Sequence, residues 1–87
     1  MQAYLVECYW PGVLEDDVDR ALGRLGPDAE VAALGTILVS ADEIVLSVFE
    51  AASPEQARST ASNAGFPVER IVECVPFARA FSGQLDT

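Results

Sequence analysis

YLVECYWPG occupies positions 4–12 and RIVECVPF occupies positions 70–77, so a chain with only two cysteines sets each of them directly after Val-Glu. Both stretches are rich in β-branched and aromatic residues and both run into a proline, which is the composition of strands that end at a turn. The first reads as a strand over residues 3–10, stopped by Pro11 and Gly12, and the second as a strand over residues 70–75. Whether the two Val-Glu-Cys triplets meet in space depends on what lies between them.

Between them the hydrophobic period changes. Leu14, Val18, Ala21, Leu22 and Leu25 recur at helical spacing, and Glu15, Asp16 and Asp17 put negative charge where a helix N-terminus favours it. Gly26 and Pro27 break this helix. Residues 28–34, DAEVAAL, then read as a short helical turn, with Pro27 at its first turn and Gly35 just past its end. Residues 36–40 and 44–50 are two apolar runs separated by Ala41, Asp42 and Glu43, which predicts a hairpin. Ser53-Pro54-Glu55-Gln56 combines a cap residue, a proline at the first helical position and a Gln three residues after the cap, the signature of a second helix that Gly65 and Pro67 close. The order βαββαβ predicts a ferredoxin-like α+β sandwich. Its helices lie on one face of a four-stranded antiparallel sheet with strand order 4-1-3-2.

In that order the first and last strands are antiparallel neighbours, and the echo becomes a pairing. Side chains alternate along a strand. Tyr4, Val6 and Cys8 suit the helix-covered side, together with Val72 and Cys74. Leu5, Glu7 and Tyr9, with Ile71, Glu73 and Val75, are left for the open side, a largely apolar surface carrying two carboxylates. An unpaired carboxylate becomes expensive on such a surface once it is covered. Glu7 and Glu73 are therefore expected either to pair with Arg70 or Arg79 or to hold a proton, and a protonated one would be a general acid or base with Tyr9 or Tyr4 as proton donor.

Composition excludes much else. The 87 residues are 51% hydrophobic and 22% charged, enough for one small domain. The chain has no His, and its five basic residues are all Arg, so imidazole bases, Ser-His or Cys-His triads and Schiff bases are absent. Fourteen acidic residues against five Arg give a net charge of −9, which repels phosphate backbones and anionic membranes. No nucleic-acid or membrane partner is expected. No apolar run approaches the roughly 18 residues of a spanning helix. A cytoplasmic location with reduced cysteines is expected. Cys8 and Cys74 form no CxxC pair, and the acidic run from Glu15 to Asp19 reads as a solvated helix start.

Three segments taken in order, YLVE..YWPG, ILVSADEIVLSVFEA.S.E.AR and AGFPVERIVE, resemble the domain of unknown function 4242 family, small proteins typified by a nickel-binding protein. The resemblance covers roughly residues 3–76. It implies a homodimer in which two ferredoxin-like protomers pack their open sheet faces into an α+β barrel around a cavity, with Glu7 and Glu73 facing that cavity. The chain departs from the pattern at Ser47, where a cysteine is expected, and in ARSTASNAG, residues 57–65, which lacks a histidine. A nickel site would then draw on Glu7 and Glu73, an unusual donor set for a metal that favours imidazole.

Two functions follow as expectations. One is a homodimeric binding protein holding a divalent metal such as nickel, or a small apolar ligand, in a cavity lined by Leu5, Glu7, Tyr9, Ile71, Glu73 and Val75. The other is a cofactor-free enzyme of secondary metabolism, of cyclase, isomerase or oxygenase type, acting on an aromatic or polyketide-like metabolite with Glu7, Glu73 and Tyr9 as its catalytic groups. Residues 1–76 form the domain. Residues 77–87 form a tail in which Phe77, Phe81 and Leu85 recur at helical spacing, suited to docking on a partner protomer.

Overall fold

A computed structural model describes residues 1–25 and 30–77 of the chain. In chain order the elements are β1 (Gln2–Tyr9), α1 (Glu15–Leu25), β2 (Ala32–Val39), a single 3-10 turn (Ser40–Asp42), β3 (Ile44–Ala51), α2 (Pro54–Asn63) and β4 (Val68–Cys74). The strands form one antiparallel sheet in the order β2-β3-β1-β4, the expected order read from the other edge. The protein is a ferredoxin-like α+β sandwich.

One face of the sheet carries the core. Tyr4, Val6 and Cys8 of β1 and Val45, Ser47, Phe49 and Ala51 of β3 are buried beneath Val18 and Ala21 of α1 and Ala57 and Ala61 of α2. Phe66, in the loop after α2, meets both Trp10 and Phe49 edge to face with ring centroids 6.0 Å apart. Trp10 thus leaves the strand to pack inward. The buried Ser47 hydroxyl is satisfied by the Thr36 hydroxyl at 2.9 Å, so a polar residue in the core costs little. Leu14, counted with the apolar stripe of α1 by spacing, is 67% exposed and precedes the helix.

Local chemistry sets the element ends. The Asp17 carboxylate accepts the Leu14 N–H at 2.9 Å, one arm of a capping box. At α2 the Ser53 hydroxyl accepts the Gln56 N–H at 3.1 Å, while the Gln56 side chain reaches back to accept the Ala52 N–H at 2.8 Å. Gly65 ends the following turn at φ +103°, a conformation open to glycine. Glu43 closes the β2–β3 connection at φ 55°. Its carboxylate accepts the Gly12 N–H at 2.7 Å and its carbonyl accepts the Trp10 N–H at 2.7 Å, which ties the hairpin to the β1–α1 loop.

Two expectations are corrected here. The helical turn expected over residues 28–34 is absent at 32–34, because Ala32 and Ala33 already belong to β2, opposite Glu50 and Phe49 of β3. Ladder pairing on a formed sheet outweighs the helix preference of alanine. Residues 28 and 29 lie outside the described residues. The last strand begins at Val68 and ends at Cys74, so Val75 lies beyond it. Of the tail, Phe77 is exposed. Residues 78–87, with Arg79, Phe81 and Leu85, lie outside the described residues.

Candidate functional site: the open sheet face

Register decides which side chains share the uncovered face. Across β1 and β3, Leu5 lies opposite Val48, Glu7 opposite Leu46 and Tyr9 opposite Ile44. On the outer side of β3, Ile37 lies opposite Leu46 and Val39 opposite Ile44. Across β1 and β4, Leu5 lies opposite Val72, Glu7 opposite Arg70 and Ala3 opposite Cys74. Directly opposed residues of a ladder point to the same side. The face away from the helices is thus a grid of aliphatic side chains with Glu7 and Arg70 set into it and Glu50 at the end of β3 opposite Ala3, and no described element covers it. Ile37 and Tyr9 are more than half exposed, while Leu5, Leu46 and Val48 are half-buried by their neighbours.

The structure divides the residues expected on this face. Leu5, Glu7 and Tyr9 are there. Ile71 and Glu73 are not, because β4 lies opposite in phase to the expectation. Val6 opposes Ile71 and Tyr4 opposes Glu73, which places both β4 residues on the helix side. Ile71 packs against the core from there, and Glu73 is exposed. The pairing of Leu5 with Val72 sets this phase, and a register shift between Glu7 and Cys8 leaves Glu69 without a partner on β1. The bulge lets Val68 and Ile71, an odd number of residues apart, both reach the helix-side core. The cysteines separate as well. Cys8 is buried among the helices, where burial pushes its thiol up to about 11, whereas Cys74 is half-buried on the open phase. The repeated Val-Glu-Cys triplet therefore holds neighbouring strands in opposite orientations.

Glu7 finds the partner expected of it. The Arg70 guanidinium approaches with Nε 3.5 Å from the Glu7 carboxylate, the Arg70 side chain 64% and the Glu7 side chain 32% exposed. Arg79 lies outside the described residues. Sequence reasoning missed Val72, Leu46 and Val48 as wall residues. The available signal was β3 itself: IVLSVFEA is apolar on both alternations, the pattern of a strand whose two faces are both meant to be covered.

The donors expected for a metal do not converge. Glu7 and Glu73 lie on opposite faces, Glu7 is engaged by Arg70, and among the described residues no three Asp, Glu or Cys side chains approach closely enough to hold an ion. A separate groove of about 310 Å³ runs on the helix side between α2 and β4, lined by Pro54, Glu55, Arg58, Ser59 and Ile71. It is open to solvent and has none of the expected polar residues.

No family model matches the chain, and no curated protein matches it in sequence. Among solved structures the chain is similar to SCO4226 from Streptomyces coelicolor A3(2), with a TM-score of 0.69 and 19% identity over 86% of this chain and 96% of that one. At that identity the likeness is one of fold, and what the two chains share is a small ferredoxin-like α+β domain of nearly equal extent.

Proposed function

We propose that the protein is a binding module that acts as a homodimer, two copies covering each other's open sheet face and enclosing a small apolar ligand between them. The observation that carries this reading is the uncovered face bearing Leu5, Ile44, Leu46, Val48 and Val72. A contiguous apolar surface of that kind on a small domain marks a surface that works buried. A second copy covers it with a single two-fold operation and no further component. The resemblance to the domain of unknown function 4242 family, whose pattern implies the same pairing, supports it. A domain this small also buries a modest share of its surface alone and gains stability from a partner.

The ligand in this reading is organic. Nickel does not fit the residues present, since the chain has no His and the two glutamates expected to chelate lie on opposite sides of the sheet. The competing reading, a cofactor-free enzyme acting on an aromatic or polyketide-like metabolite, rests on Glu7 with Tyr9 beyond it on the same face. With Glu73 and Ile71 on the other face, that wall carries Glu7, already engaged by Arg70, and Glu50, which lies opposite Ala3, four residues along β1 from Glu7, so the two carboxylates do not form an acid–base pair.

Light scattering combined with titration of a neutral fluorescent probe, N-phenyl-1-naphthylamine, tests the proposal. The unmodified chain is expected to be a dimer at micromolar concentration and to bind the probe. Leu46→Asp, which sets a charge in the middle of the face, is expected to leave a folded monomer that binds at least about tenfold more weakly. A stable, folded monomer of the unmodified chain would overturn the reading.

A further inference from the structure

Three of the arginines differ sharply in how their guanidinium groups are employed. Arg20 donates to the Asp17 carboxylate at 2.9 Å, and Arg24 donates through Nη1 to the Ala64 carbonyl at 2.9 Å behind α2. Both are structural. Arg70 makes no hydrogen bond among the described residues, and its one ionic contact is the 3.5 Å approach of Nε to Glu7. The Nη side of the fork is uncommitted, and it is there that a guanidinium takes a carboxylate through two parallel N–H donors. Arg70 is also the one cation on the open face among the described residues, and Leu5, Leu46 and Val72 surround the pair it forms with Glu7.

Resting on the proposed cavity, we infer that its ligand is a small hydrophobic monocarboxylate, with its ring or chain on the aliphatic grid and its carboxylate on the Nη side of Arg70. Glu7 acts as a positioning residue that holds the guanidinium by Nε and leaves the outer edge presented. The net charge of −9 slows the approach of an anion without removing the local contact, because exposed charges beyond about 10 Å are screened at ordinary ionic strength.

The test compares 2-naphthoate with 2-naphthalenemethanol, the same ring with and without the charge, by calorimetric titration of the full chain. Naphthoate is expected to bind about tenfold or more tightly than the alcohol, the scale of a charge-assisted contact. Arg70→Gln is expected to remove the preference, and Arg70→Lys to keep part of it. Glu7→Gln, which loosens the guanidinium that Glu7 holds, is expected to weaken naphthoate about threefold while leaving the alcohol unchanged, and an equal loss for both probes would contradict the positioning role. Circular dichroism confirms that each variant folds. Equal binding of the two probes, a preference surviving Arg70→Gln, or failure of both to bind overturns the inference. Equal binding by a dimer leaves the cavity reading standing, whereas a monomeric unmodified chain removes both.

Discussion

Gly65 and Asp17 are the residues whose individual chemistry is most exposed to test. Gly65 has φ +103°, and a Cβ built there would lie 2.7 Å from Arg24 Nη1, the group that donates to the Ala64 carbonyl. Backbone strain and the displaced arginine act together, so Gly65→Ala is expected to cost about 1–3 kcal/mol in urea unfolding, and an unchanged midpoint would contradict the account. Asp17 is held below its ordinary value of 3.8, first by the Leu14 backbone N–H and then by Arg20. Because the folded group is the stronger acid, its contribution is complete above the unfolded value and is lost as pH falls through the folded one. Thermal midpoints of the unmodified chain and Asp17→Asn should therefore differ at neutral pH and converge as pH falls below 3.8. A gap that widened on acidification would contradict this sign. The Cys8 thiol, pushed up to about 11 by burial, should stay unreactive toward a thiol reagent at about pH 8 while the protein is folded.

At the scale of elements, local signals and sheet pairing compete, and each wins in a different place. α2 is written in its first four residues: Ser53 and Gln56 exchange contacts with the orphan N–H groups, so Ser53→Ala is expected to cost about 1 kcal/mol by urea unfolding. β2 shows the reverse. Ala32 and Ala33 favour a helix, but β3 offers a ladder opposite Glu50 and Phe49, and Leu34 is left as an extra residue between Ala33 and Gly35. β4 shows a third case. Its existence was legible from RIVEC, yet its phase was not, because both alternations of RIVEC carry apolar residues and the register against β1 alone decides which of them meets the helices. The pairing of Leu5 with Val72 sets Ile71, Val72, Glu73 and Cys74 together, and the unpaired Glu69 then lets Val68 share the helix side with Ile71.

For the whole molecule the open face, with Leu5, Leu46, Val48 and Val72 uncovered by any described element, is the surface a partner would bury. If it is covered by a second copy, unfolding is coupled to dissociation and the thermal midpoint should rise with protein concentration. A midpoint constant over a hundredfold dilution would contradict the dimer. Cys74, half-buried on the open phase, offers a second readout: its labelling should be slow in the unmodified protein and accelerate in Leu46→Asp, with Cys8 protected in both. No helix among the described residues is long and apolar enough to cross a membrane.

The amino-acid sequence alone determined the element order, the sheet order and which side of β1 the helices cover. Those follow from local signals: hydrophobic period, the Ser53 cap, Pro11, Gly65 and Pro67, and the neighbour relation that βαββαβ imposes. Tyr4, Val6 and Cys8 could be assigned to the core because β1 runs without a break against β3. Only the tertiary structure decided that Glu7 faces Arg70 while Glu73 lies across the sheet with Tyr4. The physical reason is that the register of β4 against β1 assigns every side chain of the strand to a face at once, and that register, with Glu69 left unpaired, is the one that packs Val68 and Ile71 against helices distant in sequence.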